Sequence, residues 1–448
     1  MTQQKHFKQL VRARMAKTGE RYAAARRTLI GAAGPSGGNG VSAAGHHFPG
    51  NVPATAALRS LLAAAGLTDP TTGAPYTETM LFGLAGGIGI GVCAFLYEQQ
   101  DFASFFVAGR HLWWDDRLYL ERACKRLGVE AQVFESGGAK AADTALRNAL
   151  AGGRPAIVWV DAGNLPHRAM PPLWDGGGYY VVTVHRIDDA EGVAYIGDLA
   201  DDLIPIPLAG LAAARGRIKK FKNRLLTVAP PVGTESVGDP SLQAAISDAL
   251  RACHAGLEGA DAIGSKAMFS LGAVKTWADR MHGGKDKERW EVIFTPGRRL
   301  WAGLTSINDF IEHYGTGGGL CRPLFAEFLI EAASRTGDAR LKSLGEQYAQ
   351  LGRDWSALAD AALPEGVPMF EEAQELLARK AELLHTGAAP GEVAAVWADL
   401  GKLVASAADR FPLDNKQCDA LRAALQERIA AIHADEAAAH AELGGIVG

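Results

Sequence analysis

The chain reads as an α+β domain followed by an α-helical domain, and two contrasts carry that reading. Between residues 46 and 228 helical segments come first and strand-like segments cluster afterwards, which favours α+β over a regularly alternating sheet. Beyond about residue 240 the sequence becomes Ala/Leu/Glu-rich and amphipathic at helical spacing, broken by Gly-Gly or Pro-Gly turns, the pattern of a helical bundle. The seam is PPVGTESVGD at 230–239. Ahead of both lies a different segment, a basic helical arm over 1–30 joined by a flexible linker over 31–45. The expected organisation is therefore 1–30, 31–45, 46–230 and 240–448.

With 448 residues, 48% hydrophobic and 21% charged, the chain has enough apolar material for two or three cores. A formal charge of −4 gives no global attraction to nucleic acid or membrane. The five cysteines, Cys93, Cys124, Cys253, Cys321 and Cys418, are widely spaced with no CxxC pair, which argues against a disulfide framework or a zinc ribbon. No apolar run reaches the length of a membrane span, and the basic N-terminus lacks an apolar signal core. These features predict a cytoplasmic protein.

In the arm, Phe7, Leu10, Val11 and Met15 recur at helical spacing while Lys5, Lys8, Arg12, Arg14 and Lys17 cover the remaining surface. It reads either as a solvated amphipathic pair or as an arm for a polyanion, the one place where nucleic acid enters as a partner. The linker GAAGPSGGNGVSAAG is flexible by composition. Next comes GHHFPGNVPATAALRSLLAAAG, a helix entered through Asn51 as N-cap and Pro53 in the first turn, with Leu58, Leu61 and Leu62 as its apolar stripe. A second short helix is expected near Thr77–Leu84. The glycine run GLAGGIGIG that follows reads as a tight turn allowing close approach, since no acidic partner supports a dinucleotide site.

GRHLWWDDRLYLERACKRLG then predicts a helix ending at Gly128, AQVFESG a strand and AKAADTALRNALAGG a helix. RPAIVWVDAG is a strong strand, and GGGYYVVTVHRID with GVAYIGDLAD form a hairpin through Asp188–Gly192. Residues 203–228 close the domain with a helix and the basic strand RIKKFKNRLLTVAP. Among the later helices, SINDFIEHYGTGGGLCRPLFAEFLIEAA stands out. Its Gly317-Gly318-Gly319 run lies between Glu312-His313 and Arg322, so it reads equally as a helix–helix corner or as a cradle for a carboxylate or phosphate involving Glu312 and Arg322.

The ordered segments GNVPATAALRSLL, ETMLFGLAGGIGIG, FFVAGRHLWWDD, GRPAIVWVD, NLPHR, GGGYYVVTVHRIDD and YIGDLAD resemble the N-terminal domain of the butirosin biosynthesis protein H family. GTGGGLCRPLFAEFLIEAA, with the helix of Trp355, is similar to the uncharacterised helical domain that usually follows it. The resemblance implies a papain-like architecture used to transfer an aminoacyl group from a carrier-protein thioester to an amine. It places a Cys at the start of the first helix, a His before the central VVxV strand and an acid on the next strand, an arrangement that stabilises a thiolate. Here Val52-Pro53 stand at the helix start and Tyr180 stands before the strand, while Asp198 occupies the acidic position.

Three readings follow. In the first, an acyl or aminoacyl transferase works with a displaced constellation, His47 acting as general base or, less favoured, Cys93 as nucleophile. In the second, orientation alone speeds transfer from an activated thioester, with Asn51, Tyr180 and the first-turn amides polarising the carbonyl near Asp198. In the third, the chain is a non-catalytic binding module of the same fold. Asp161, Asn164 and His167 of VDAGNLPHR are candidates for the same cleft in each case. A metal held by His46, His47 and Asp198 is disfavoured because adjacent histidines do not readily face one ion. No metal or cofactor is expected. The expected partners are an acyl carrier protein and a small-molecule amine, and homo-oligomerisation is left open.

Overall fold

The computed structural model describes residues 46–229, 239–262 and 266–448, so the expected arm and linker lie outside the described residues. Residues 46–448 form one compact unit. Its first part contains α1 (Pro53–Ala64), α2 (Glu78–Ala85), β1 (Ile88–Tyr97), β2 (Phe102–Arg110), α3 (Asp116–Arg126), β3 (Ala131–Phe134) and α4 (Ala139–Leu150). There follow β4 (Ala156–Asp161), β5 (Tyr179–Asp188), β6 (Val193–Gly197), β7 (Ile204–Pro207), α5 (Leu208–Arg217) and β8 (Leu225–Val228). The remainder is helical: α6 (Asp239–Leu257), α7 (Leu271–Met281), a single turn Trp290–Ile293, α8 (Arg298–Glu312), α9 (Arg322–Thr336), α10 (Ala339–Ala362), α11 (Pro368–His385), α12 (Pro390–Asp409) and α13 (Asn415–Val447). This is the α+β-then-helical order expected. No helix among the described residues is long and apolar enough to cross a membrane.

Six strands make one antiparallel sheet in the order β3-β8-β4-β5-β6-β7. All six residues of the central strand β4 are buried, which explains the unbroken apolar run AIVWV. Its alternate side chains serve two cores. Ile157 and Trp159 face the large core that runs from Val52 to Leu443, while Val158 and Val160 pack with Leu146 and Leu211 beneath α4 and α5.

The glycine run departs from the expected turn. The chain does turn at Gly86 and Gly87, both at positive φ, but then continues as β1, paired with β2 in a two-stranded hairpin. Gly89 and Gly91 are strand residues under close approach. A Cβ on Gly89 would lie 2.7 Å from the His111 backbone, and one on Gly91 would lie 2.5 Å from the Trp113 indole nitrogen. Glycine lowers strand propensity, so the pattern concealed β1. Phe105 on β2 packs against Trp277, Trp290 and Phe294, while Phe106 meets Trp113 and Phe310, so aromatic contacts bind the hairpin to the helical part.

Two smaller expectations also change. The helix read from residue 109 begins only at Asp116, where the Asp115 carboxylate accepts the amides of Arg117 and Leu118. The basic strand shortens to Leu225–Val228 because Lys219–Phe221 forms a 3₁₀ turn.

Candidate functional site

Helix α1 starts with Pro53 in the first turn, as its fixed φ favours, but Asn51 is not the cap. The capping position is Val52, whose side chain makes no cap hydrogen bond, and Glu78 of α2 holds the chain as it enters the helix. One Glu78 carboxylate oxygen accepts the amides of Asn51 (2.9 Å) and Val52 (2.7 Å) and the Thr55 hydroxyl (3.3 Å). Burial raises the Glu78 pKa, opposed by these hydrogen bonds. The amides that the chain's own carboxylate takes are therefore those of Asn51 and Val52, just ahead of the first turn. The Asn51 side chain packs on Gly317, where a Cβ would lie 2.8 Å from its own Cβ.

Tyr180 and Asp198 do come together, and His167 joins them. Tyr180 donates to Asp198 Oδ1 at 2.7 Å, and His167 Nε2 lies 2.7 Å from Oδ2. The cation that completes the group is Arg168, which the sequence reading passed over. Its Nε and Nη2 reach the two Asp198 oxygens at 3.0 Å, its Nη2 also donates to the Tyr180 oxygen, and its guanidinium carbon stands 4.0 Å from the Tyr180 ring centroid. The Asp198 side chain is only 2% exposed. Burial alone would raise its pKa, but Arg168, His167 and Tyr180 hold it well below the usual carboxylate range. Burial keeps the Tyr180 phenol protonated by raising its pKa well above the ordinary value. Asp198 is therefore the anion of a closed network rather than an available base.

His47 lies beside this network. Its Nε2–H donates to the Ala200 carbonyl at 2.8 Å, while its Nδ1 is buried without a partner. A Cβ on Gly197 would lie 2.5 Å from that Nδ1. The space lined by His47, Pro53, Thr183 and Asp198 is a cavity of about 10 Å³, room for about one water.

The larger cavity, about 170 Å³, opens on the other side of Pro53. The start of α1 meets β2, β5, α8, α11 and α12 there. Its walls are rich in aromatic side chains, including Phe106, Trp113, Tyr180, Phe310, Tyr314 and Trp397. The charged side chains on the wall stand in pairs. Lys380 donates to Asp309 at 2.7 Å and lies 4.8 Å from the Trp397 ring centroid, and Arg110 is bonded to Asp116. Trp397 in turn donates to the Arg168 carbonyl at 3.1 Å, which ties α12 to the Asp198 network. His313 also lines the cavity, and burial lowers its pKa, so it is a neutral imidazole near pH 7.

The other expected site residues have different surroundings. Asp161 is fully buried and accepts the amides of Gly176 and Gly178, while Asn164 bridges it to Asp175. Both organise the loop beside Tyr179 and do not line the cavity. Glu312 accepts from Ser356 (2.5 Å) and the Gly319 amide (3.3 Å), bracing the glycine corner. Arg322 corrects the cradle reading: its side chain is 0% exposed and bonded to Glu436 and to the carbonyls of Gly89, Gly109 and Leu320. Cys93 is a buried strand residue whose thiol burial pushes up to about 11, so it lacks the thiolate a nucleophile needs.

Lys380 and Trp397 were unreadable from sequence because they sit in Ala/Leu/Glu-rich helices far from α1 in the chain. Arg168, by contrast, adjoins His167 in NLPHR, and that position was the available signal.

Residues 53–199 match the family described as Butirosin biosynthesis protein H, N-terminal, and residues 209–374 match one described as Domain of unknown function (DUF4872). No curated protein matches the chain. The first match contains the α1 start, the Asp198 network and the hairpin. The second contains Asp309 and His313 but stops short of Lys380 and Trp397.

Proposed function

Since residues 53–199 are a butirosin biosynthesis protein H N-terminal domain, followed over 209–374 by the domain of unknown function, we propose that this chain serves a biosynthetic route by binding a small molecule in the 170 Å³ cavity. We read its α+β part as papain-like, with α1 packed on β5 and Pro53 at the helix start lining the small cavity with Asp198 and the large one with Tyr180. One observation carries the preference for binding over thiol chemistry. Pro53, which has neither a thiol nor an amide hydrogen, stands at the cavity wall at the start of α1, and Glu78 sets a carboxylate against the Asn51 and Val52 amides just ahead of it. Aromatic walls and prepaired charges suit a ligand of little net charge, partly apolar, with a hydrogen-bonding edge.

A second reading, transfer of an acyl or aminoacyl group from a thioester to an amine without a covalent enzyme intermediate, is favoured by His313. A neutral imidazole at the cavity wall is suited to accept the proton that the amine loses. Transfer would draw on an acyl carrier protein as donor.

Tryptophan fluorescence tests the first reading, because Trp113, Trp174 and Trp397 line the cavity. An aminoacyl-pantetheine thioester and a panel of primary amines are titrated singly and together while free thiol is measured. The expected result is saturable quenching that Ala381→Phe, a substitution projecting into the cavity, abolishes. Absence of saturable quenching, or quenching unchanged in Ala381→Phe, removes the cavity as the site. Thiol release that requires His313 favours the second reading.

A further inference from the structure

Away from the cavity, the end of α6 faces the last turns of α13. His254 lies in the last turn of α6 and Glu258 follows one helical turn later, just past its end, so both project from one side. His440 comes from α13. One ligand atom from each residue lies within 4.8 Å of the other two. The two imidazole rings are stacked, their centroids 4.1 Å apart and their planes 12° from parallel. Gly444 makes the space: a Cβ there would lie 2.7 Å from His254 Nε2.

We infer that His254, Glu258 and His440 form a binding site for a divalent first-row transition ion, with Zn²⁺ as the best fit, and that the ion ties the end of α6 to α13. The donor set of two imidazole nitrogens and one carboxylate oxygen suits such an ion, and solvent supplies a fourth ligand. The position suits a cation as well, since the C-terminal end of a helix presents its unsatisfied carbonyls.

Bonds of about 2.0–2.1 Å in a tetrahedral set bring ligand atoms to about 3.4 Å from one another, so the site closes by roughly 1 Å as the ion enters. Near-parallel rings cannot both aim a nitrogen at one ion. Binding therefore turns one imidazole about its Cβ–Cγ bond and breaks the stack. His440 Nε2, 3.2 Å from the His254 carbonyl, anchors its ring by donating there, leaving Nδ1 for the ion.

The test uses the untagged full chain after treatment with a chelator. Titration with CoCl₂ is followed by visible absorption, with ZnCl₂ as competitor, and ZnCl₂ binding is measured by calorimetry. One ion per chain is expected, with a cobalt d–d band that zinc removes. His440→Gln and Glu258→Gln should each weaken binding at least tenfold while leaving the far-UV circular dichroism unchanged. Glu258 is exposed, so its replacement tests the site without disturbing packing. Absence of a bound ion in the unaltered chain overturns the assignment, as does binding of wild-type strength in either variant.

Discussion

Glu78 holds the amide of Val52 at 2.7 Å, so a side chain from α2 occupies the positive end of α1. That contact makes the helix start a structural joint. Glu78→Ala leaves the Asn51 and Val52 amides without this acceptor and should cost about 1–3 kcal/mol by urea denaturation. Stability unchanged within 0.3 kcal/mol, a rough measurement error, would show that solvent replaces the carboxylate freely.

Asp198 gives the chain a specific acid sensitivity. Its pKa is depressed in the folded state, so between that depressed value and the ordinary carboxylate value of about 3.9 the unfolded chain binds more protons. Its stabilising contribution is complete above about pH 4 and declines as pH falls towards the folded-state value. Asp198→Asn should flatten this acid limb and, by leaving Arg168 buried without its anion, cost about 3–5 kcal/mol at neutral pH. An acid limb of unaltered slope in the variant would assign the sensitivity to other carboxylates.

Arg322 and Glu436 form a fully buried pair, with Trp355 donating to the same Glu436 oxygen at 2.8 Å. Arg322→Met alone should destabilise by about 3–5 kcal/mol, because it strands a buried carboxylate. The double variant Arg322→Met with Glu436→Leu should recover a large part of that loss. A double variant as unstable as the single one would locate the cost in lost packing instead.

The thiols should be silent in the native state. All five cysteines are buried, and burial pushes Cys124, Cys253 and Cys321 up to about 12. Iodoacetamide at pH 8 should leave the folded chain unmodified by intact mass and label five sites after denaturation. Rapid native labelling of Cys93 or Cys321 would reopen a thiol mechanism. Cys93→Ser should leave ligand binding in the large cavity unchanged.

Should thioester aminolysis occur, its pH profile should report His313. The depressed pKa keeps most of this imidazole unprotonated at its ordinary value of about 6.5, so the rate per unprotonated amine should fall by less than half from pH 8 to about 6.5. His313→Gln should lower the rate by about 10²–10⁴. A rate halved at pH 6.5, or unaffected by that substitution, would assign the proton transfer elsewhere.

Much of the site's first half was readable because its signals are local. The apolar run AIVWV, the hairpin around Asp188–Gly192 and Pro53 at a helix start each depend on a few neighbouring residues. Tyr180 and Asp198 could be paired because adjacent antiparallel strands bring nearby segments together. Asn51 failed as a cap because the helix starts one residue later, with Val52 at the capping position, while the Asn51 amide itself is held by Glu78 of another helix. Arg322 failed as a ligand because the partner that buries it, Glu436, is 114 residues away.

Periodicity and turn chemistry were therefore enough to declare an α+β segment, a helical segment and the order of most elements, since those are short-range preferences of the backbone. The cavity and its charge pairs required the assembled chain. Whether Lys380 meets Asp309, or Trp397 the carbonyl of Arg168, depends on how α8, α11 and α12 pack against β2 and β5. Desolvation then makes His313 a neutral base and Cys93 an inert thiol, and burial of that kind has no signature in the residues beside them.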